Sequence, residues 1–285
     1  PDDVVPRNYT SLFPNVSLSY NDQEKHAISL SVGRRITRPN YQNLNPFEFK
    51  TSELSSWQGN PFLEPNLIMN YQVTYSFMRK LVISNTYSVT NNFFANVFET
   101  VGDKGNRLIT RNMDKAVTNG LSVSYPQKVF KWWSFSSFLI YNYSTYSGDI
   151  EGTLIDLNAH IVNFRLQNNI QLPLDVTMEL SYFGSTPWIW RGTVNVDGYH
   201  QVSIGVKRAF FNERLLLQAT AFDPFNTGSI YPYESDYGGM IIDGRINFDQ
   251  RRVGISATFN FGNQQSKKSR RRNTALDDEL ERISD

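Results

Sequence analysis

Between Met69 and Thr90 the chain alternates between two kinds of side chain almost without a break. Met69, Tyr71, Val73, Tyr75 and Phe77 fall on one parity, and Asn70, Gln72, Thr74 and Ser76 on the other. After Arg79 and Lys80 the pattern resumes, with Leu81, Ile83, Tyr87 and Val89 opposing Val82, Ser84, Thr86, Ser88 and Thr90. A period of two means β-strand, because successive side chains point to opposite faces. One face is apolar and aromatic; the other is small, polar and mostly uncharged. The fold therefore turns on whether the apolar face meets a protein core or lipid.

The same alternation recurs along the chain. It predicts about eleven strands, near 11–20, 26–36, 67–78, 81–98, 107–125, 132–146, 158–172, 175–188, 199–209, 214–223 and 246–261. Short connectors at Asn21, Met78, Pro126, Pro173 and Phe210 alternate with longer ones from Thr37, Thr100, Ser147, Pro187 and Asn226. Antiparallel strands give this order when turns are minimal at one end of a barrel and loops are long at the other, as in outer-membrane barrels. On that reading the last strand descends to the periplasm. Aromatics gather toward strand ends at Trp132, Trp133, Tyr141, Tyr143, Tyr146, Trp188 and Trp190, as a membrane-interface girdle requires.

No window approaches the roughly 18 consecutive apolar residues of a transmembrane helix, a test to which β-barrels are blind. The N-terminus, PDDVVPRNYTSLFPN, lacks the charged and apolar regions of a signal peptide. A water-soluble β-sandwich also alternates and buries aromatics. Strands well beyond five or six residues and the regular alternation of loop lengths favour the membrane barrel. A formal charge of +1 argues against a nucleic-acid partner, and the absence of cysteine removes thiol chemistry and cysteine-bound zinc. The expected fold is all-β, a transmembrane antiparallel barrel. Its sheet must close, since lipid satisfies no backbone group. Bacterial single-chain barrels have even strand numbers, whereas eleven is half of 22, the number in plugged outer-membrane transporters.

Several stretches carry a family resemblance. GRRITRPNYQNLNPF from Gly33 and WQGNPFLEPNL from Trp57 resemble a loop of TonB-dependent receptors of the Bacteroidota type, in the outer-membrane β-barrel family. AFDPFNTGSIY from Ala221 resembles the segment before their last long loop, and FDQRRVGISATFNFGNQQSKKSRRR from Phe248 their closing strand and basic tail. The resemblance implies that residues 1–262 are the C-terminal half of a 22-stranded barrel and 263–285 a periplasmic tail. It also implies a Gram-negative outer membrane as the location and energised uptake of a scarce ligand. The implied partners are outer-membrane lipid, a plug domain, the first half of the barrel and a TonB-type protein acting on the plug. A surface partner protein is a further expectation. The plug and the first half are not in this sequence, so they belong to the same polypeptide or to a second chain. The rival is a non-transporting barrel or interaction subunit.

Enzymatic signatures are thin. His26, His160 and His200 are far apart, and no HExxH, nucleophile elbow or P-loop appears. No catalytic residue, metal site or cofactor is expected. Arg165, Glu179 and Lys207 lie on the polar parity and are expected to face the lumen, as ligand path or plug contacts, or as solvated charges. Trp188, Trp190 and Arg191, with Tyr231, Tyr233 and Tyr237 in the last long loop, are the candidate ligand-binding residues, because aromatics and Arg anchor recognition surfaces. The same rings would serve an outer girdle equally well. Arg38, Pro39 and Tyr41 are expected to shape their loop. Lys267 to Arg272 form a basic block that would meet anionic headgroups or stay solvated.

Overall fold

The computed structural model describes residues 12–22, 25–102, 105–237 and 239–261. The strands of the first third are β1 (Asn15–Asn21), β2 (His26–Thr37), β3 (Glu48–Lys50), β4 (Ser55–Gln58), β5 (Asn66–Phe77) and β6 (Leu81–Val101). Then come β7 (Gly105–Lys128), β8 (Trp133–Ile150), β9 (Thr153–Leu172), β10 (Val176–Ser185), β11 (Trp188–Trp190) and β12 (Val194–Val196). The last are β13 (Tyr199–Phe210), β14 (Leu215–Phe222), β15 (Ile230–Tyr237), β16 (Met240–Asn247) and β17 (Arg252–Phe259). One helical turn, α1 (Tyr41–Leu44), interrupts them.

Eleven strands form the main path of a 13-stranded sheet, in the order β1-β2-β5-β6-β7-β8-β9-β10-β13-β14-β17, each antiparallel to its neighbour, with β3 and β4 off that path. These are the eleven strands expected, with shifted ends. The last begins at Arg252 rather than 246, because Met240–Asn247 pairs elsewhere as β16. Among the described residues β1 and β17 end the sheet and do not pair with each other. Left-handed backbone at Met78, Arg79, Leu174 and Asp175 closes short turns, where the strand twist demands it.

The register carries the alternation across the sheet. Leu18, Leu30, Val73, Asn85, Leu121, Tyr141 and Val162 form one cross-strand row. Ile170, Met178, Val206, Ala219 and Ile255 form another on the same face. Gln171, Thr177, Lys207, Gln218 and Ser256 line up on the opposite, polar face. A sandwich would bury the apolar face under a second sheet. Here Tyr71 is 43% exposed, Leu139 44% and Ile255 85%, so no second sheet covers that face among the described residues. Two polar intrusions on that face are paired. The Asn85 amide donates to Asn119 Oδ1 at 2.9 Å, and the Trp133 indole donates to Asn168 Oδ1 at 3.1 Å.

At the short-turn end Phe130, Trp132, Trp133 and Phe135 make a chain of ring contacts, with centroids 5.4 to 6.2 Å apart. Tyr146 departs from the expected girdle. It shares the polar side with Ala116 and packs against Phe93, 5.6 Å between rings. Phe93 reaches it because pairing of β6 with β7 is interrupted at Asn92, which has φ 56°. Before Asn92 the odd-numbered residues Ile83, Tyr87 and Val89 stand on the apolar face. Beyond it Ala95 and Val97, with Ile109 and Met113 of β7, pack with Ile150, Ile155 and Tyr237 into the buried apolar cluster of the long-loop end.

The asparagine-rich stretches form a clasp on β7. Gly59 N donates to Asn45 O at 2.9 Å, Asn60 N to Asn43 O at 2.6 Å and the Gln58 side chain to Pro46 O at 2.6 Å. Asn60 and Asn112 side chains then donate to the carbonyls of Thr110 and Glu64. Only glycine fits at 59, since a Cβ there would lie 2.5 Å from the Asn45 and Gln42 oxygens. β4 adds a short parallel pairing to β7. Tyr41, on this loop, is almost fully exposed. The tail 263–285, with the block Lys267 to Arg272, lies outside the described residues.

Candidate functional site

The segments WIW and VNV alternate, so β11 and β12 each place their outer residues on one face. Their register pairs Trp188 with Val196 and Trp190 with Val194. β12 pairs with β15, setting Val196 opposite Tyr233, and β15 pairs with β16, setting Tyr231 opposite Ile246. A second, four-stranded sheet results, in the order β11-β12-β15-β16. Its two faces differ sharply. Trp188, Trp190, Val194, Val196, Tyr231 and Tyr233 share one; Asn195, Glu234, Asp243 and Arg245 share the other. Tyr233 covers Gly244 across the β15–β16 pair, and a Cβ at 244 would lie 2.6 Å from the tyrosine ring.

The apolar face, with Phe248, forms one wall of a cleft of about 380 Å³; Phe98 of β6 and Leu108 of β7 stand in the other. At its mouth the rings meet edge to face. Tyr199 and Tyr231 are 5.2 Å apart at 66°, Tyr231 and Phe248 5.8 Å at 71°, and Trp188 and Tyr231 6.5 Å at 74°. Both walls come from this chain and are bonded to each other. Asn96 N donates to Arg191 O at 3.0 Å, and the Thr193 hydroxyl donates to Asn96 O. Ser235 Oγ donates to Thr193 O at 3.2 Å, and Tyr237 OH to Ile150 O at 2.9 Å.

Four of the six loop residues singled out from the sequence thus line one cleft: Trp188, Trp190, Tyr231 and Tyr233. Arg191 stands apart, exposed at the β11–β12 turn with φ 52°, and contributes its carbonyl to the link with β6. Tyr237 is 9% exposed inside the apolar cluster. Phe98 and Leu108 escape sequence reading, since they sit within an ordinary strand pattern.

Asp223 is a third residue missed. Its buried carboxylate accepts from Thr227 N at 2.9 Å, Gly228 N at 3.1 Å, Thr227 Oγ1 at 3.2 Å and Ser229 Oγ at 3.3 Å. Burial works to raise its pKa, but these bonds outweigh it and hold the group below its ordinary value. The stretch DPFNTGS is therefore a carboxylate-centred loop that launches β15. Beside the cleft, Glu99 accepts from Arg107 and Arg111, both at 2.7 Å, and Arg111 reaches Glu151 at 2.9 Å. Burial raises the Glu99 pKa, and the two guanidinium groups more than offset it, leaving the group low.

Arg165, Glu179 and Lys207 all stand on the polar face of the main sheet. Lys207 Nζ donates to Glu179 Oε1 at 2.5 Å, while Arg165 lies 5.9 Å from the Phe183 ring centroid. The three histidines do not converge. His26 Nδ1 lies 2.8 Å from Tyr75 OH, His160 Nδ1 2.7 Å from Tyr141 OH, and His200 packs on Tyr182 at 6.0 Å. Among the described residues no cluster of three or more His, Cys, Asp or Glu could hold a metal ion.

A single apolar face through eleven strands, with no layer upon it among the described residues, is the build of a membrane barrel wall. The family model of the outer membrane protein beta-barrel family matches residues 1–261. The chain belongs to that family. Its fold resembles that of the siderophore receptor PirA from Pseudomonas aeruginosa, with a TM-score of 0.55 and 15% identity over 75% of this chain and 39% of that one. The ferric enterobactin receptor PfeA from the same organism gives a TM-score of 0.50 and 15% identity, over 86% of this chain and 39% of that one. At such identity the likeness is one of fold. The chain spans about two-fifths of the length of these receptors. No curated protein matches it. As an outer-membrane barrel protein it turns the row of Leu18, Leu30 and Val73 toward lipid, where the paired amides of Asn85 and Asn119 become a requirement.

Proposed function

We propose that this chain is the C-terminal half of a 22-stranded, TonB-dependent receptor of the Bacteroidota type. The long loops of that barrel capture a scarce ligand outside the cell. The observation that carries the reading is the run of eleven antiparallel strands whose ends, β1 and β17, do not pair with each other among the described residues, in a chain spanning 39% of a siderophore receptor. Eleven further strands would pair β1 and β17 and close the wall, as hydrocarbon demands. The polar face then lines the lumen, with Arg165, Glu179 and Lys207 along the ligand path or against a plug domain. Trp188, Trp190, Tyr231 and Tyr233 lie at the outer mouth, with Arg191 and Tyr237 supporting them. A TonB-type partner pulls on the plug, and residues 263–285 extend into the periplasm. The protein moves its ligand and does no chemistry on it.

The test begins with the intact mass and N-terminal sequence of the polypeptide extracted from native outer membranes. A much larger mass, with a plug domain upstream, is expected. Ligand accumulation should then stop when the TonB-type partner is deleted. A mass equal to these 285 residues would overturn the single-chain receptor and leave a barrel completed by a second chain or a non-transporting subunit.

A further inference from the structure

We infer that the cleft between β11-β12-β15-β16 and the β6–β7 hairpin is a subsite for an uncharged aryl group of the ligand. This rests on the receptor reading above, and it narrows the ligand's chemistry. Three features point to it. First, among the described residues no charged side chain lines the cleft, and the side-chain polar groups in its lining are the indole N–H of Trp188 and Trp190 and the hydroxyls of Tyr231 and Tyr233. A carboxylate or a bare cation entering it would lose its hydration without a counter-charge. A glycan would leave most of its hydroxyls unpaired, since the lining offers no amide, carboxylate or guanidinium.

Second, the rings meet edge to face at 66° to 74°. That arrangement presents both faces and edges, the two surfaces against which a further aromatic ring packs favourably. Third, the volume of about 380 Å³ lies within the range of small-molecule pockets. The two walls of the cleft are held by bonds within the chain. Arg191 and Thr193 bond to Asn96, Tyr237 bonds to Ile150, and Gly244 seats the Tyr233 ring, so no second chain is needed to build either wall. A flat, neutral ring system with one or two hydrogen-bond acceptors at its rim matches these features together.

The test uses the full-length protein in detergent, labelled with 5-fluorotryptophan. Of the five tryptophans in these 285 residues, Trp188 and Trp190 report the cleft and Trp132 and Trp133 report the detergent belt. Fluorine resonances, assigned through single Trp→Phe variants, are followed during titration with 2-naphthol at neutral pH. Parallel titrations use 2-naphthoate, phenyltrimethylammonium and maltose. The expected result is a saturable shift of the Trp188 and Trp190 lines by 2-naphthol alone, weakened at least tenfold by Tyr233→Ala. Trp190→Phe, at a partly exposed rim position, guards against a folding defect and should weaken binding by a smaller factor.

Lines that do not respond, or that are already shielded from a soluble quencher because another segment of the chain fills the cleft, would overturn the inference. So would saturation by the anion, the cation or the sugar to the same degree. Uptake dependent on the TonB-type partner is scored separately. Uptake with an unresponsive cleft sinks the aryl subsite alone, and a responsive cleft without uptake sinks the receptor reading alone.

Discussion

The Tyr237 hydroxyl donates to the Ile150 carbonyl oxygen at 2.9 Å, fastening the β15–β16 hairpin to the long-loop end of β8. The ring beneath that bond packs with Ala95, Val97, Ile109 and Met113. Tyr237→Phe should cost about 1 kcal/mol, the net worth of one neutral hydrogen bond. Tyr237→Ala should cost about 3–5 kcal/mol, through lost burial and a cavity. The damage is local. Protease cleavage within 230–247 should accelerate in that order, while the heat-modifiable migration of the barrel stays unchanged.

Asp223 predicts an acid limit for the neighbouring loop. Its folded pKa is held below the ordinary 3.8, so the unfolded loop binds the proton more readily. The stabilisation is complete above the ordinary value and is lost as pH falls below it, through the lower folded value. Hydrogen exchange of the Thr227 and Gly228 amides, corrected for intrinsic rates, should lose protection below about pH 4. In Asp223→Asn the protection should be weak at every pH. Equal protection in wild type and variant at neutral pH would contradict this account.

Leu166 and Gln167 are adjacent in β9 and stand on opposite faces. Leu166→Arg would set a charge against lipid and cost about 2–4 kcal/mol at mid-depth. Gln167→Arg joins a wet, polar face beside Ser136 and Ser181 and should be nearly neutral. Urea-induced unfolding in lipid vesicles separates the two. If both variants were equally stable, the assignment of faces would be wrong.

The Asn85–Asn119 pair yields a double-mutant test. Asn119→Leu leaves the Asn85 amide with only its bond to the Gly120 carbonyl and should cost about 1–3 kcal/mol. Replacing both residues by leucine removes the orphaned group along with its partner and should recover that loss or exceed it. The same vesicle unfolding measurement reads the coupling.

The long strands were legible because one rule, apolar against polar every second residue, holds from Val16 on β1 to Ile255 on β17. The loops hid more. β11 and β12 have three residues each, too few for alternation to stand out from chance. The β15–β16 hairpin did leave a signal, since Tyr237 pairs with Met240 and the sequence between them is Gly238-Gly239. Pro232, which argues against a strand interior, masked it. That Trp188 and Trp190 meet Tyr231 and Tyr233 depends on the pairing of Val196 with Tyr233, and no local pattern encodes a contact across 37 residues. Aromatic and Arg content selected the right loops, but it could not separate cleft from core. Tyr237 and Arg191 look alike in sequence to their neighbours and serve as supports.

The interruption at Asn92 leaves the count of the ladder intact, for Asn91 still faces Lys115 below it and Phe93 faces Met113 above. The hairpin above that point can gain or lose residues in opposed pairs without moving a single rung beneath. Its shape can be rewritten while the staves of the wall keep their alignment, much as a handle is changed without recutting the blade. Asn92 is thus the joint between the regular sheet and the hairpin above it, and grafted hairpins should be seated there rather than at the loop tip.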